Sequence, residues 1–126
     1  MNRVILVTGG FDPIHGGHIK YIRSAKKIDP PSPLCVGLNS DDWLIRKKGK
    51  YFMDFDERKE VMSGMKDVDV VIPFIDNDES ACDAIDMCLQ IYDLVIFANG
   101  GDRGDYNTPE FDKFRHDYRV HFRWKV

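Results

Sequence analysis

The stretch Arg3-Val4-Ile5-Leu6-Val7-Thr8-Gly9-Gly10 decides which fold this sequence predicts. Its continuous run of aliphatic side chains, ended by two glycines, is typical of a strand buried on both faces of a parallel sheet. Further apolar runs, which are candidate strands, lie at 34–38, 68–72, 94–98 and 119–125. They alternate with helical patterns at 18–28, 56–66, 80–91 and after residue 108. This alternation predicts a single α/β domain over residues 1–126, with about five parallel strands and helices on both faces.

Loops that follow parallel strands meet at one edge of the sheet, where ligands bind in such folds. The glycine-rich segment after the first strand, the segment 39–53 and Asn99-Gly100-Gly101 are all expected at this edge. Residues 39–53 are predicted to be a long polar loop with four basic side chains, Arg46, Lys47, Lys48 and Lys50. Groups that are distant in the sequence are therefore predicted to converge on one site.

Two later helices carry recognisable start patterns. Ser80, with Asp83 three residues later, resembles a capping box. Thr108 is a suitable N-cap, and Pro109 suits the first helical position that follows it. Both helices are therefore expected to begin within these short segments.

The segment Gly9-Gly10-Phe11-Asp12-Pro13-Ile14-His15-Gly16-Gly17-His18 is the candidate phosphate site. The two glycines allow a tight turn and a close approach of the backbone to a ligand. His15 and His18 are three residues apart at a helix start, so they share a face next to the positive end of the helix dipole. A His-x-x-His pair can also be half of a metal site, but His116 and His121 lack the spacing of further ligands.

Composition excludes several other classes of protein. The chain has 18 Lys plus Arg against 21 Asp plus Glu, a net charge of −3, which argues against a nucleic-acid partner. Its three cysteines are odd in number and contain no Cys-x-x-Cys pair, so neither a disulfide framework nor a zinc knuckle is indicated. The sequence lacks a signal-peptide pattern and an apolar run of membrane-spanning length, so a cytoplasmic protein without a membrane partner is expected.

The glycine-histidine segment resembles the cytidylyltransferase-like nucleotidyltransferase superfamily, whose mark is Gly-x-Phe-Asp-x-x-His-x-Gly-His after the first strand. The resemblance implies a Rossmann-like fold. It continues through later segments that are similar to glycerol-3-phosphate cytidylyltransferase and heptose 1-phosphate adenylyltransferase, namely Asn39-Ser40-Asp41, Arg46-Lys47-Lys48-Gly49, Asp56-Glu57-Arg58, Val68-Asp69-Val70-Val71-Ile72-Pro73-Phe74 and Gly100-Gly101-Asp102.

The resemblance also implies a role for individual residues. It implies catalytic roles for four side chains that face the phosphates: His15, His18, Lys47 and Lys48. It implies nucleotide contacts for five residues: Gly9, Gly10, Phe11, Gly101 and Asp102. It implies acceptor contacts for four more: Asp12, Asp41, Arg58 and Lys66.

The implied reaction joins a nucleoside monophosphate from CTP or ATP to a phosphorylated small alcohol or sugar and releases pyrophosphate. Magnesium is expected to arrive with the triphosphate, with no metal ligands from protein side chains, and a homodimer is expected. Relatives usually continue past the fifth strand into a Ser/Thr-rich segment, whereas this sequence ends at Val126, so the domain is expected to lack that segment. The alternative is a non-catalytic nucleotide-binding or regulatory module of the same fold.

Overall fold

A computed structural model describes residues 2–100 and 108–126 of the chain. Within these ranges the strands are β1 Arg3–Gly9, β2 Leu34–Leu38, β3 Val70–Pro73, β4 Leu94–Ala98 and β5 Val120–Arg123. The helices are α1 Gly16–Lys26, α2 Asp41–Lys48, α3 Phe55–Ser63, α4 Cys82–Leu89 and α5 Pro109–Phe114. Among the described helices, none is both long and apolar enough to cross a membrane.

The strands form one parallel sheet in the order β3-β2-β1-β4-β5. The chain runs outward from β1 to β3, then returns to the other side of β1 for β4 and β5. The strand order therefore reverses between β1 and β4, and a crevice opens at the carboxyl ends of strands at such a point. The predicted α/β fold, with about five parallel strands and helices on both faces, is confirmed.

The sheet separates two apolar layers. Alternate residues of β1 face opposite layers, as the two-residue period of a strand requires. Val4 and Leu6 pack with Ile85 of α4 and Phe114 of α5, while Ile5 and Val7 pack with residues of α1 and α3. Because both faces of β1 are covered, its carboxyl end is held rigidly where the glycine-rich segment begins.

The segment 39–53 is not the long loop that the sequence predicted, because residues 41–48 form α2. Only Leu44 of this helix is buried, so there is little apolar periodicity to detect. Its ends stabilise it instead. At its start, the Ser40 hydroxyl accepts a hydrogen bond from the Trp43 amide, and Gly49 closes the helix at its end with φ 81°. Acidic residues in the first turn and basic residues in the last turn complement the helix dipole.

The predicted capping box at Ser80 is also wrong. The N-cap of α4 is Ala81, which makes no side-chain capping bond. The Asp83 carboxylate instead accepts a hydrogen bond from the Ile75 amide at 2.7 Å, so it ties the helix to the preceding loop. Thr108 does cap α5 as predicted, by accepting a hydrogen bond from the Phe111 amide.

Candidate active site

The turn from β1 into α1 brings Phe11 against the backbone of the strand. Phe11 has φ 51°, a left-handed conformation that is uncommon for a bulky residue. Its buried ring lies so close to Gly9 that a Cβ at Gly9 would be 3.1 Å from Phe11 Cε2. The same ring meets His18 edge-on, with 5.0 Å between ring centroids. Phe11 thus fixes the orientation of His18, in addition to lining a cleft.

His15 and His18 cap the start of α1 reciprocally. His15 Nδ1 accepts a hydrogen bond from the Gly17 amide at 3.0 Å, and His18 Nδ1 accepts one from the His15 amide at 3.1 Å. The two rings stack with centroids 3.8 Å apart and planes inclined by 25°. A phosphate was expected at these helix-start amides, but the imidazoles occupy two of them.

This capping determines which nitrogen of each ring can reach a ligand. Because each Nδ1 accepts an amide proton, the neutral form of each ring carries its own proton on Nε2. Burial, assisted by the neighbouring His15, lowers the pKa of His18 below its ordinary value of 6.5. His18 is therefore neutral near pH 7 and presents an N–H donor, the group that a phosphate oxygen accepts.

Asp12 and Lys48 form a fixed contact beneath the site. The Asp12 side chain is fully buried and accepts hydrogen bonds from the Phe52 and Met53 amides at 2.7 and 2.8 Å. Burial alone would raise the pKa of Asp12, but these amides and the charge of Lys48 lower it below the ordinary value. Lys48 Nζ donates to the Asp12 carbonyl oxygen and lies 3.4 Å from its carboxylate. Asp12 therefore positions the loop and also lines the cleft with the histidines, and its implied acceptor contact stays a prediction.

Arg58 is also placed differently from the implied acceptor contact, because its side chain is fully buried. Its Nε donates to the Met53 carbonyl oxygen, and its Nη1 donates to those of Gly10 and Asn39 at 2.9 and 2.8 Å. Its Nη2 donates to Asp41 Oδ1 at 2.7 Å. Arg58 therefore ties the ends of β1 and β2 together from below and presents no surface to a ligand, while Asp41 stays partly exposed.

The basic residues of α2 face the glycine-rich segment, and their partners differ. Arg46 pairs with Glu79, with 2.7 Å between Nε and Oε1. Lys47 Nζ lies 4.7 Å from the centroid of the Trp43 ring, an arrangement that leaves its charge available to an anion. The sequence correctly predicted that Lys47 and Lys48 approach the histidines, since all four line one cleft.

Three clefts meet at Gly10. One, of about 370 Å³, is lined by residues that include Phe11, His15, His18 and Gly100. A second, of about 480 Å³, shares the histidines and extends to Lys47 and Lys48. The third, of about 740 Å³, opens on the other side of Gly10 toward the loop before α4, and its walls are Thr8, Gly9, Gly10, Asn39, Trp43, Arg46, Lys47, Phe74, Glu79, Ser80 and Ala81.

Gly10 is required by the approach of α2 as well as by any ligand. A Cβ there would lie 2.8 Å from Leu44 Cδ2 and 3.3 Å from Trp43 Cζ3. Leu44 is buried, so it has little room to move aside. A glycine at this position therefore lets the helix press against the end of β1.

Some predicted site residues do not join this group. Lys66 lies in the turn between α3 and β3, at the amino edge of the sheet, whereas the clefts lie at the carboxyl edge. The length of β3 therefore separates Lys66 from these clefts, and its acceptor contact stays a prediction. Gly101 and Asp102, predicted to contact the nucleotide, fall outside the described residues.

Several residues of the site were not predicted from the sequence. Asp76 is buried and accepts hydrogen bonds from the side chain of Asn39 and from the amide and hydroxyl of Ser40. Tyr21 lines the cleft of about 370 Å³ that contains His15, His18 and Gly100, called the histidine cleft below. It donates its hydroxyl proton to the Ala98 carbonyl oxygen. Asp76 lies in a loop without any local motif, while Tyr21 sits one helical turn after His18, a spacing that could have identified it.

The described residues offer no ready site for a metal ion. Among residues 2–100 and 108–126, no three His, Cys, Asp or Glu side chains are grouped suitably. The carboxylate inside the motif, Asp12, already accepts two amide hydrogen bonds and faces Lys48. The Asp12 carboxylate is therefore already engaged by protein donors.

Curated relatives match part of the chain. The Bifunctional protein HldE of Shewanella sediminis (strain HAW-EB3) is 35% identical over 77 residues, which are 60% of this chain and 16% of the relative. That of Shewanella amazonensis (strain ATCC BAA-1098 / SB2B) is 38% identical over 74 residues, 57% of this chain and 15% of the relative. The chain thus spans about a sixth of the length of these relatives.

A solved structure and a family match cover more of the chain. The lipopolysaccharide core biosynthesis protein from Thermoplasma volcanium GSS1 superposes with a TM-score of 0.76 at 24% identity, over 100% of this chain and 97% of that one. This likeness supports the fold. The family described as cytidylyltransferase-like matches residues 6–108, a range that contains most of the sheet and the whole segment from Gly9 to His18. The chain belongs to the cytidylyltransferase-like family.

Proposed function

We propose that this chain is a nucleotidyltransferase that transfers the nucleoside monophosphate of CTP or ATP to a phosphorylated polyol or sugar and releases pyrophosphate. The observation that carries the proposal is the capped pair His15 and His18, whose Nδ1 atoms are engaged by amides so that each Nε2 is left as the donor, in a cleft that Lys47 and Lys48 also line. Family membership and the similarity to HldE support the same class of reaction.

The proposed chemistry is a single in-line displacement. An oxygen of the acceptor phosphate forms a bond to the α-phosphorus while the bond to the bridging oxygen breaks, and that electron pair leaves with pyrophosphate. Two imidazole donors and Lys47 stabilise the charge that grows on the phosphate oxygens. Magnesium, when it arrives on the triphosphate, supplies further charge neutralisation to the phosphates.

The remaining site residues position these donors. Phe11 packs on His18, and the Gly17 amide holds the His15 ring. Asp12 and Arg58 hold the loop and strand ends against which α2 rests. Because the chemistry needs no covalent enzyme intermediate, such positioning accounts for much of the expected rate.

The test is a matrix of CTP and ATP against glycerol 3-phosphate and sugar 1-phosphates with magnesium, scored by pyrophosphate release. We expect at least one pair to react. His15→Asn is the decisive variant because asparagine is a good N-cap yet lacks the imidazole donor. It should lower kcat about 100- to 1,000-fold, the usual cost of losing one such donor.

His116→Asn is the matched control, because His116 is exposed after α5 and lines none of the three clefts. It should leave kcat unchanged. If no pair releases pyrophosphate but a triphosphate binds tightly, the chain is a nucleotide-binding module and the proposed activity is wrong. A homodimer stays a prediction, which sedimentation velocity can check.

A further inference from the structure

Asp76 is a buried carboxylate in the loop between β3 and α4. Its side chain is 5% exposed and lines none of the three clefts, so it does not contact a ligand in them. Burying a carboxylate costs free energy unless hydrogen bonds replace its contacts with water. The hydrogen bonds to its two oxygens come from the segment that joins β2 to α2.

The first of these contacts holds the end of β2. The Asn39 side-chain amide donates to Asp76 Oδ2 at 3.0 Å. The Asn39 backbone amide donates to the Gly9 carbonyl oxygen at 3.0 Å, where the glycine-rich segment begins. Asp76 is thus bonded to a residue that is itself bonded to the carboxyl end of β1.

The other contacts hold the start of α2. The Ser40 amide donates to Asp76 Oδ2 at 2.8 Å, and the Ser40 hydroxyl donates to Asp76 Oδ1 at 2.8 Å. The same hydroxyl accepts a hydrogen bond from the Trp43 amide at 3.1 Å, so its proton points at Asp76 while its oxygen caps the helix. Asp76 therefore fixes the orientation of the N-cap of α2.

The backbone of Asp76 holds the same helix at a second place. Its carbonyl oxygen accepts hydrogen bonds from Arg46 Nη2 at 2.9 Å and from the Glu79 amide at 3.1 Å. Arg46 and Ser40 are six residues apart, which is more than one helical turn. Contacts at both places therefore restrict the tilt of α2 as well as its position.

The position of α2 matters because Lys47 depends on it. Lys48 is held from outside the helix by Asp12. Lys47 Nζ instead packs on the ring of Trp43, a residue of α2 itself, so its charge moves with the helix. A displacement of about 1 Å in a group that acts on the reaction can cost about 100-fold in rate.

We propose that Asp76 is a positioning residue, which holds α2 against Gly10 so that Lys47 lies in the cleft that it shares with the histidines. This inference rests on the proposed function, because Lys47 acts there on phosphate oxygens. Asp76 contacts no reacting atom, and its effect on catalysis passes through Ser40 and the helix.

The test is a double-mutant cycle on pyrophosphate release, with the pair of substrates that reacts fastest. Asp76→Ala should lower kcat about 10- to 100-fold in the otherwise wild-type chain. In the Lys47→Ala background, where the positioned group is already missing, it should lower kcat by less than about 3-fold. Loss of folded protein would lower kcat by the same factor in both backgrounds, so equal losses would overturn the inference.

Asp76→Asn removes fewer hydrogen bonds. Asparagine keeps the volume, and its oxygen accepts the protons of the Asn39 side chain and the Ser40 amide, but the Ser40 hydroxyl proton loses its acceptor. The expected loss in kcat is about 3- to 10-fold, equivalent to one hydrogen bond. If Asp76→Ala does not fold, the cycle is run with Asp76→Asn, whose loss should disappear in Lys47→Ala. An equal loss in both backgrounds would again overturn the inference.

Asp83→Ala is the matched control. Asp83 also accepts a hydrogen bond in this loop, from the Ile75 amide at 2.7 Å, but it ties the loop to α4 instead of α2. It should therefore keep wild-type kcat. A loss as large as that of Asp76→Ala would mean that any disturbance of the loop is enough, and the assigned role of Asp76 would be wrong.

Trp43 reports the position of α2 without turnover. A Cβ on Gly10 would lie 3.3 Å from Trp43 Cζ3, so the indole packs at the end of β1. The chain has two tryptophans, and Trp124→Phe leaves Trp43 as the only one. In that background the emission maximum should shift in Asp76→Ala and stay unchanged in Asp83→Ala.

These two measurements separate the inference from the proposed function. If no pair of substrates releases pyrophosphate, the proposed activity is wrong and the emission of Trp43 decides whether Asp76 positions α2, an unchanged spectrum in Asp76→Ala overturning that role. If pyrophosphate forms, the cycle decides. Equal losses in the two backgrounds then leave the activity standing and show that the positioning role is wrong.

Discussion

At the residue scale, His15 and His18 serve the helix and the site with opposite edges of the same rings. Each Nδ1 satisfies a backbone amide, and each Nε2 is left for a ligand. Sequence spacing was enough to place the pair on one face. The capping role was not predictable from it, because histidine is seldom an N-cap and the effect depends on how the two rings stack.

His18, which is partly buried beside His15, makes the free energy of unfolding depend on pH. Its folded-state pKa is below 6.5, so the unfolded chain takes up a proton at higher pH than the folded chain does. Its contribution is therefore complete above about pH 6.5 and is lost as the pH falls through the lowered pKa. We expect the urea midpoint of the wild type to fall between pH 7.5 and 5.5, and His18→Asn to reduce that fall.

His116→Asn serves as the control and should keep the full wild-type fall in the urea midpoint, because His116 is exposed after α5. The comparison uses the difference between the two midpoints for each protein. An identical fall in the wild type and His18→Asn would contradict the prediction.

Arg58 shows what residue type alone cannot predict. Arginine is usually exposed, and the family resemblance implied that Arg58 contacts the acceptor. The structure instead encloses it among carbonyl oxygens of Gly10, Asn39 and Met53, which come from three separate segments. Only the folded arrangement of those segments creates this environment.

Replacing Arg58 should therefore destabilise the whole chain. Arg58→Ala leaves three carbonyl oxygens and Asp41 without their donor, at a cost of about 3–5 kcal/mol in the free energy of unfolding. The neighbouring exposed Lys59→Ala should stay within about 0.5 kcal/mol of the wild type. Urea unfolding measures the free energy of unfolding of both variants. A similarly small change for Arg58→Ala would show that the buried hydrogen bonds of Arg58 contribute little to stability.

At the element scale, the start of α1 contains two glycines with different surroundings. A Cβ on Gly17 would lie 2.8 Å from His15 Cε1, whereas a Cβ on Gly16 would meet nothing within 4 Å. Gly17→Ala should therefore push the His15 ring away from its position, while Gly16→Ala should leave it in place. The two substitutions are chemically identical and adjacent.

We expect Gly17→Ala to lower kcat about 100-fold, the order of loss for a misplaced catalytic group. Gly16→Ala should keep wild-type kcat, because its new methyl group has open space. Steady-state pyrophosphate release compares the two variants. Equal activities would mean that the His15 ring adapts without loss and that its exact position is unimportant.

Helix α2 shows which elements can be predicted from sequence. The strands and α1 were predicted because they bury apolar side chains with a regular period. Helix α2 buries only Leu44, so that pattern is missing and its segment looked like a loop. Its cap at Ser40, its charged turns and its terminal Gly49 were nevertheless visible in the sequence. Weighing helix ends as heavily as apolar periodicity would have identified α2.

At the scale of the whole molecule, the site is assembled from both sides of the point where strand order reverses. Residues after β1 supply the histidines, α2 supplies the lysines, and Gly100 after β4 closes the histidine cleft against Tyr21. A Cβ on Gly100 would lie 2.8 Å from the Tyr21 ring. This convergence was predictable from the sequence because parallel strands place their carboxyl ends together, whereas the contacts among the converging segments were not.

A ligand that contacts several segments should stabilise the entire domain. If a nucleoside triphosphate binds only the folded chain, a concentration of 100 times Kd adds about 2.7 kcal/mol to the free energy of unfolding. For a chain of this size we expect Tm to rise by about 10 °C in differential scanning fluorimetry. His15→Asn should show a smaller rise at the same concentration, and His116→Asn the full one.

The meeting of three clefts at Gly10 has a consequence for engineering. The histidine pair and the wall formed by Arg46 and Glu79 lie on opposite sides of that residue, and they share only a few lining residues. Substitutions of Arg46 and Glu79 should therefore change the shape and charge of the largest cleft while the capping bonds of His15 and His18 stay intact. Libraries limited to Arg46, Phe74 and Glu79, which line this cleft and neither of the other two, would be the most economical starting point for altering it.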